Sequence, residues 1–320
     1  MQFGVMTEPQ FGGTYRHLLA VARAAEAAGF DVFARSDHYL NMEAPESVPE
    51  ALTSLAGLAR DTDRIALGVL VTPVTFRHPA VIAKTAATID QMSDGRFELG
   101  VGTGWMESEH EAFGLEMPPL RTRYSLMFDT LAYLSAAFGR TEGGFQGRHY
   151  RLADIEVQPR PTGTLPLVVG GKGMQRTPSL AGRFADHYNV FPSDAAGLQA
   201  RRRVMQGAAR DAGRDPDAVL LSLMSPIYVA EDRAGYREVV AAEAASRGIE
   251  ASELEAHFAE DRVPHGTIDQ VASLLAQYAT EGVGRFYVQI FSSIDAIDIG
   301  SFPALLAGLR GDSAPAGNMH

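Results

Sequence analysis

Short apolar runs rich in β-branched residues alternate with longer segments of helical spacing along the whole chain, and this alternation constrains the fold more than any other feature. Strand-type runs that lead into helical patterns are the signature of βαβ units, which require a parallel sheet. The strand-type runs fall at 2–6, 31–35, 64–72, 96–101, 166–170, 187–191, 219–229 and 285–291. Helical patterns fall at 15–28, 50–60, 78–92, 119–138, 174–184, 195–212, 267–281 and 301–309. In the first of these Leu18, Ala22 and Ala25 share one face, and Gly29 supplies the residue of positive φ that ends the helix. Eight repeats without a linker or composition break predict an α/β protein, a single (β/α)8 TIM barrel over 1–310, with 311–320 as a disordered tail.

Two stretches exceed the minimal repeat. Residues 141–158 are expected to form a hairpin excursion before the fifth strand, and 231–265 a charged, alanine-rich helical insertion after the seventh. Long insertions serve as lids or binding loops as readily as they cover barrel surface, so both roles stay open. The competing parallel architecture is the open doubly wound sheet, whose first strand opens into G-x-G-x-x-G. Here that strand leads into TEPQFGGTY, which lacks the spacing.

Composition removes several function classes. The 320 residues include no cysteine, so disulfides, thiolate metal sites, iron–sulfur clusters and thiol nucleophiles are all excluded. A net charge of −11 argues against a general nucleic-acid surface, which needs a basic patch to neutralise phosphates. The opening MQFGVMTEPQFGG lacks the basic and long apolar regions of a signal peptide, and no run has the 18 or so apolar residues of a membrane span. The expectation is a cytoplasmic protein acting on a small molecule.

In a parallel barrel the strand C-termini and the loops after them build the active site. The polar and glycine residues at those places are Glu8, Asp37-His38, Thr72, Thr103-Gly104-Trp105, Gly170-Gly171-Lys172-Gly173 and Gln289. His38, titrating near neutral pH, suits proton transfer or cofactor contact, or else it is a histidine satisfied at a strand end. The glycines of 100–104 let backbone approach a flat ligand, with Trp105 as an apolar wall; a tight turn beside a core tryptophan reads equally well. Gly170–Gly173 opens a helix carrying Arg176 and Thr177, and free N–H groups there with Lys172 and Arg176 make a phosphate cradle. It is not a P-loop, because GxxxxGK[ST] is absent. The cluster Glu107, Glu109, His110 and Glu111 is expected to face solvent on a helix, and neither a zinc-protease pattern nor a GxSxG elbow occurs. Hydride transfer on an organic cofactor fits what remains.

Several of these segments together resemble the luciferase-like monooxygenase family. They are Ala27-Ala28-Gly29-Phe30-Asp31 through Ser36-Asp37-His38, Arg77-His78-Pro79-Ala80 through Lys84, Gly95-Arg96-Phe97 through Trp105, Gly114 through Arg123, and Pro166 through Asp186. The likeness covers nearly the whole chain in the family's motif order and runs to its coenzyme F420-dependent branch. It implies a barrel with the cofactor across its strand ends, and hydride transfer between F420 and a small organic substrate. It also implies a homodimer. The alternatives are an FMN-dependent monooxygenase fed by a separate flavin reductase and a non-catalytic flavin-binding protein.

The resemblance further implies a cis peptide near Leu70-Val71 backing the cofactor, His38 beside the reacting face, and a phosphate loop over Gly170–Thr177. Asp37, Thr103, Gly104, Trp105, Gly171, Lys172, Gly173 and Arg176 would join the cofactor site. Three departures stand out. F420-dependent dehydrogenases carry a glutamate after the GTG turn, where this chain has Trp105, and a tryptophan four residues beyond the histidine, where it has Met42. Glu8 is only an approximate counterpart of the glutamate in their first loop. Their proton donor is therefore missing from its usual place, and their substrates do not carry over.

Overall fold

Helices cover the outer face of each barrel strand while neighbouring strands fill the inner one, so the strands are buried on both sides and read as continuous apolar runs. Every residue of Val32–Arg35, Phe97–Gly102 and Leu167–Gly170 is buried. The structure, a computed structural model, describes residues 1–40, 48–294 and 297–311; Met42 and residues 312–320 lie outside the described residues.

The chain begins β1 (Gln2–Thr7), α1 (Tyr15–Ala28), β2 (Val32–Arg35), α2 (Ala51–Asp61), β3 (Ala66–Pro73), α3 (Pro79–Met92) and β4 (Phe97–Gly102). Two helices follow, α4 (Glu107–Phe113) and α5 (Leu120–Ala137), then the short strands β5 (Phe145–Gln146) and β6 (Arg151–Leu152). The pattern resumes with β7 (Leu167–Gly170), α6 (Arg176–Phe184), β8 (His187–Val190), α7 (Ala195–Asp211), β9 (Leu220–Ser225) and β10 (Tyr228–Ala230). It ends with α8 (Arg233–Arg247), α9 (Ala251–Glu260), β11 (His265–Thr267), α10 (Ile268–Thr280), β12 (Val283–Ile290) and α11 (Phe302–Arg310).

Eight strands close a parallel barrel in the order β1, β2, β3, β4, β7, β8, β9, β12, and β12 pairs back onto β1 with Val288 opposite Val5. This is the predicted (β/α)8 barrel, and all eight predicted strands belong to it. The seventh is shorter than predicted. The expected strand over 219–229 ends at Ser225, because Pro226 has no N–H to give a ladder. Beyond it Tyr228–Ala230 leaves the barrel and pairs in parallel with His265–Thr267.

The excursion at 141–158 is a hairpin, with Phe145 opposite Leu152. The insertion at 231–265 is helical, and α8 and α9 bury a small core of their own from Tyr236, Val240, Ala244, Leu254 and Phe258. Among the described residues no helix is long and apolar enough to cross a membrane.

β3 and β4 approach each other closely at the upper end of the barrel. Their register shifts between Val69 and Thr72, and a Cβ placed on Gly100 would lie 2.1 Å from the Val69 carbonyl oxygen. Backbone cannot rotate away as a side chain can. Gly100→Ala is therefore expected to force the two strands apart and lower stability by about 1–3 kcal/mol, as overpacking does. Thermal denaturation checks this, and an unchanged melting temperature would contradict the contact.

Candidate active site

His38 follows the C-terminal end of β2, and its partner comes from α4. Its Nδ1 lies 3.1 Å from Oε2 of Glu109, whose side chain is only 1% exposed. The other carboxylate oxygen accepts the backbone N–H groups of Tyr39 and Leu40, the latter at 3.1 Å. One buried carboxylate thus pins the start of the loop after β2 and orients the imidazole. Nε2 remains the free ring nitrogen, and the Trp105 indole lies nearly perpendicular to the imidazole with ring centroids 5.7 Å apart.

Burial alone would push the His38 pKa down. The hydrogen bond and charge of Glu109, with further charge from Glu8 and Asp37, outweigh it and raise the pKa above the usual imidazole value.

The expectation that Glu107, Glu109, His110 and Glu111 face solvent is corrected here. Glu107 and Glu111 are exposed, but Glu109 and His110 are each 1% exposed. Two adjacent helical residues turn inward because the loop after β2 and the end of β3 close over α4 on that side. His110 Nδ1 donates to the Met106 carbonyl at 2.7 Å, which leaves Nε2 to meet the Thr75 hydroxyl at 2.7 Å. Both ring nitrogens are engaged, so His110 is a brace.

Asp37 points away from His38. Both its oxygens bind the Arg77 guanidinium, at 2.5 and 3.1 Å, and Arg77 also reaches Thr72 Oγ1 at 2.9 Å and the Glu50 carboxylate. Burial opposes the charge on Arg77, but Asp37 and then Tyr39 and Glu50 raise its pKa above the usual guanidinium value. The Asp37 side chain is fully buried in this pair. It ties the ends of β2 and β3 to the start of α2, where Glu50 caps the helix by accepting the Thr53 N–H at 2.6 Å.

A second buried network closes the β1 side of the mouth. Glu8 accepts from Gln289 at 2.6 Å and from Gln10 at 2.7 Å, while Ser36 donates to Gln10 at 2.7 Å. The carbonyl oxygen of Gln289 is buried without a partner.

The Leu70-Val71 peptide is cis, at the place the resemblance gave. Leu70 packs inside the barrel with Met6, Val32 and Val168, while Val71 occupies the space that three glycines leave open. A Cβ on Gly100, Gly102 or Gly170 would come within 2.9, 2.4 and 2.8 Å of the Val71 methyl groups. Those glycines thus make room for Val71, and through it for a flat, apolar floor; direct approach of backbone to ligand is not their first role. Thr103 and Gly104 follow at the strand end. Trp105 is 67% exposed, so it stands at the rim and not in the wall.

Gly171, at φ +149°, and Gly173 shape the turn into α6. Gln175, the residue before the helix, provides no side-chain cap, so the N–H groups of Arg176 and Thr177 stay open to an anion, while Pro178 has none to offer. Thr177 is buried, with its hydroxyl 2.9 Å from that of Tyr124. Lys172 lies over Phe191 at 4.9 Å and Arg176 over Tyr124 at 5.4 Å, and both are exposed.

Sequence reasoning missed Glu109, and it named Arg77 without a role. Arg77 carries no periodic signal, and the charges around Glu109 read as a solvated face. The one clue was position: Glu109 falls seven residues after the end of β4, on the rim where functional loops lie.

One mouth of the eight-stranded parallel barrel thus gathers a histidine held by a buried carboxylate, a glycine-rich turn into an uncapped helix, and an apolar floor. The luciferase-like monooxygenase family model matches residues 1–285, and the chain belongs to that family. It is 34% identical over 191 residues to the F420-dependent glucose-6-phosphate dehydrogenase of Microbacterium testaceum, covering 59% of this chain and 56% of that one. It is 30% identical over 182 residues to the pyrimidine monooxygenase RutA of Allorhizobium ampelinum, covering 55% and 49%. The matches thus span about half the length of these curated relatives. The crystal structure of the monooxygenase RslO1 from Streptomyces bottropensis shares the fold, with a TM-score of 0.78 at 22% identity over 96% of each chain.

Proposed function

We propose that the protein is an F420-dependent oxidoreductase that moves a hydride between the deazaflavin and a small organic substrate. The observation that carries this reading is His38 held by the buried Glu109 at the barrel mouth. Reduction of a carbonyl-type substrate adds a hydride and a proton, and oxidation removes both. Bound F420 would supply or accept the hydride at its C5 carbon. His38 Nε2 gives or takes the proton, and Glu109 holds the imidazole in the tautomer and orientation this requires. Glu109 thereby supplies on α4 the carboxylate that Trp105 displaces from the turn after β4.

The residues present fit such a cofactor. Val71 would offer the apolar floor, and the open first turn of α6, with Thr177 and Lys172 beside it, would receive a phosphate. The similarity to RutA favours a second reading, an FMN-dependent monooxygenase that takes reduced flavin from a partner reductase.

Side-by-side titration with F420 and FMN, read by fluorescence quenching, separates the two. F420 is expected to bind. Tight FMN binding without F420 binding, together with substrate-dependent oxygen uptake on reduced FMN, would replace the first reading with the second.

A further inference from the structure

Beside the turn into α6 lies an open groove of about 660 Å3, lined by α5, the first turns of α6 and the hairpin that carries β5 and β6. Three arginines line it, one from each element: Arg121, Arg176 and Arg148. All three are exposed, and among the described residues none is joined to a carboxylate. The acidic residue of α5 in this region, Asp129, turns inward and accepts the backbone N–H of His149 at 2.6 Å and of Tyr150 at 3.4 Å. His149 also lines the groove, with Nε2 at 2.9 Å from the Ser125 hydroxyl.

A chain of net charge −11 has carboxylates to spare, yet it leaves three guanidinium groups around one concavity without any. Like charges gathered on one surface repel each other unless an anion joins them, so the arrangement marks a site for negative charge.

The groove is continuous with the turn. Tyr124 lines it and also bonds Thr177, and a Cβ on Gly173 would sit 2.7 Å from the Tyr124 hydroxyl. Arg176 belongs both to the groove and to the first turn of α6. A ligand that ends at its phosphate would stop at the turn and leave Arg121 and Arg148 unmatched. A ligand whose phosphate leads into further carboxylates would reach them. F420 has that chemistry, since its phosphate continues through a lactyl link into a chain of glutamates, whereas FMN ends at the phosphate.

We propose that this arginine-lined groove binds the multiply carboxylated tail of the deazaflavin cofactor. The proposal rests on the F420 reading above and adds to it a specific place for the part of the cofactor that FMN lacks.

The test is binding, read by fluorescence quenching, of three ligands to the wild-type protein and to an R121Q/R148Q variant. The ligands are F420 with several glutamates, F420 cut back to the lactyl phosphate, and FMN. Wild type is expected to prefer the tailed form by about tenfold, as a network of exposed ion pairs allows, with the preference shrinking as salt rises. R121Q/R148Q should lose that preference while keeping its affinity for the tail-less form. Equal affinity of wild type for the tailed and tail-less forms would overturn the groove assignment and leave the F420 reading standing. FMN binding with neither F420 form bound would overturn both. The wild-type comparison decides the matter even if the double variant does not fold.

Discussion

Replacing Glu109 by glutamine is expected to lower turnover about a hundredfold, the low end of what a positioned acid–base group contributes, and to move the titration of His38 to lower pH. Glutamine keeps an oxygen that can accept from Tyr39 and Leu40, so the loop after β2 should remain in place. What it removes is the negative charge beside Nδ1. Burial, which disfavours the imidazolium, then acts against a smaller opposing effect from Glu8 and Asp37, and the pKa falls relative to wild type. Substrate reduction needs the protonated ring, so its rate declines as pH rises through that pKa, and in E109Q the decline should begin at lower pH.

The same shift appears in stability. A histidine whose folded pKa is raised contributes stability that is full below the unfolded imidazole value and is lost as pH rises through the folded one. The stability of wild type relative to E109Q should therefore shrink across that interval. Following the imidazole resonances by NMR, with His38 assigned through H38Q among the nine histidines, checks the direction without any substrate. An unshifted His38 in E109Q would remove Glu109 from its positioning role and leave it a loop staple.

The barrel was legible because its information is local. Each strand announces itself by an apolar run and each helix by its spacing, and closure follows once eight such pairs are counted. The seventh strand was misjudged at Pro226 because an apolar run says nothing about whether each N–H has an acceptor. The candidate site was legible in position only where it sits on the strand ends themselves, as with His38 and the turn into α6. Glu109 was not, since its burial depends on a loop closing over a helix, and no pattern within the seven residues of α4 encodes that. Nor does spacing say where an aspartate points. Asp37 next to His38 looked like part of the cofactor site, whereas its carboxylate faces Arg77, 40 positions away.

That pairing makes Asp37→Ala the most destabilising substitution expected near the mouth, at about 3–5 kcal/mol, the usual loss when one partner of a buried ion pair is removed. The Asp37 side chain is fully buried and that of Arg77 is 10% exposed, so the guanidinium left behind cannot recover its hydration without opening the ends of β2 and β3. Glu50 offers only partial compensation. It stands at 39% exposure and already caps α2. Removing both charges should harm less than removing one, because no unpaired ion then remains. D37A/R77M is expected to be more stable than D37A alone, and the coupling in a double-mutant cycle should be correspondingly large. Urea denaturation of wild type, the two single variants and the double variant measures it. If Asp37 instead served the cofactor directly, D37A would weaken cofactor binding while leaving the unfolding midpoint where it was. A structural pair predicts the reverse order of effects: unfolding moves first, and binding changes only as far as the loop carrying His38 loosens.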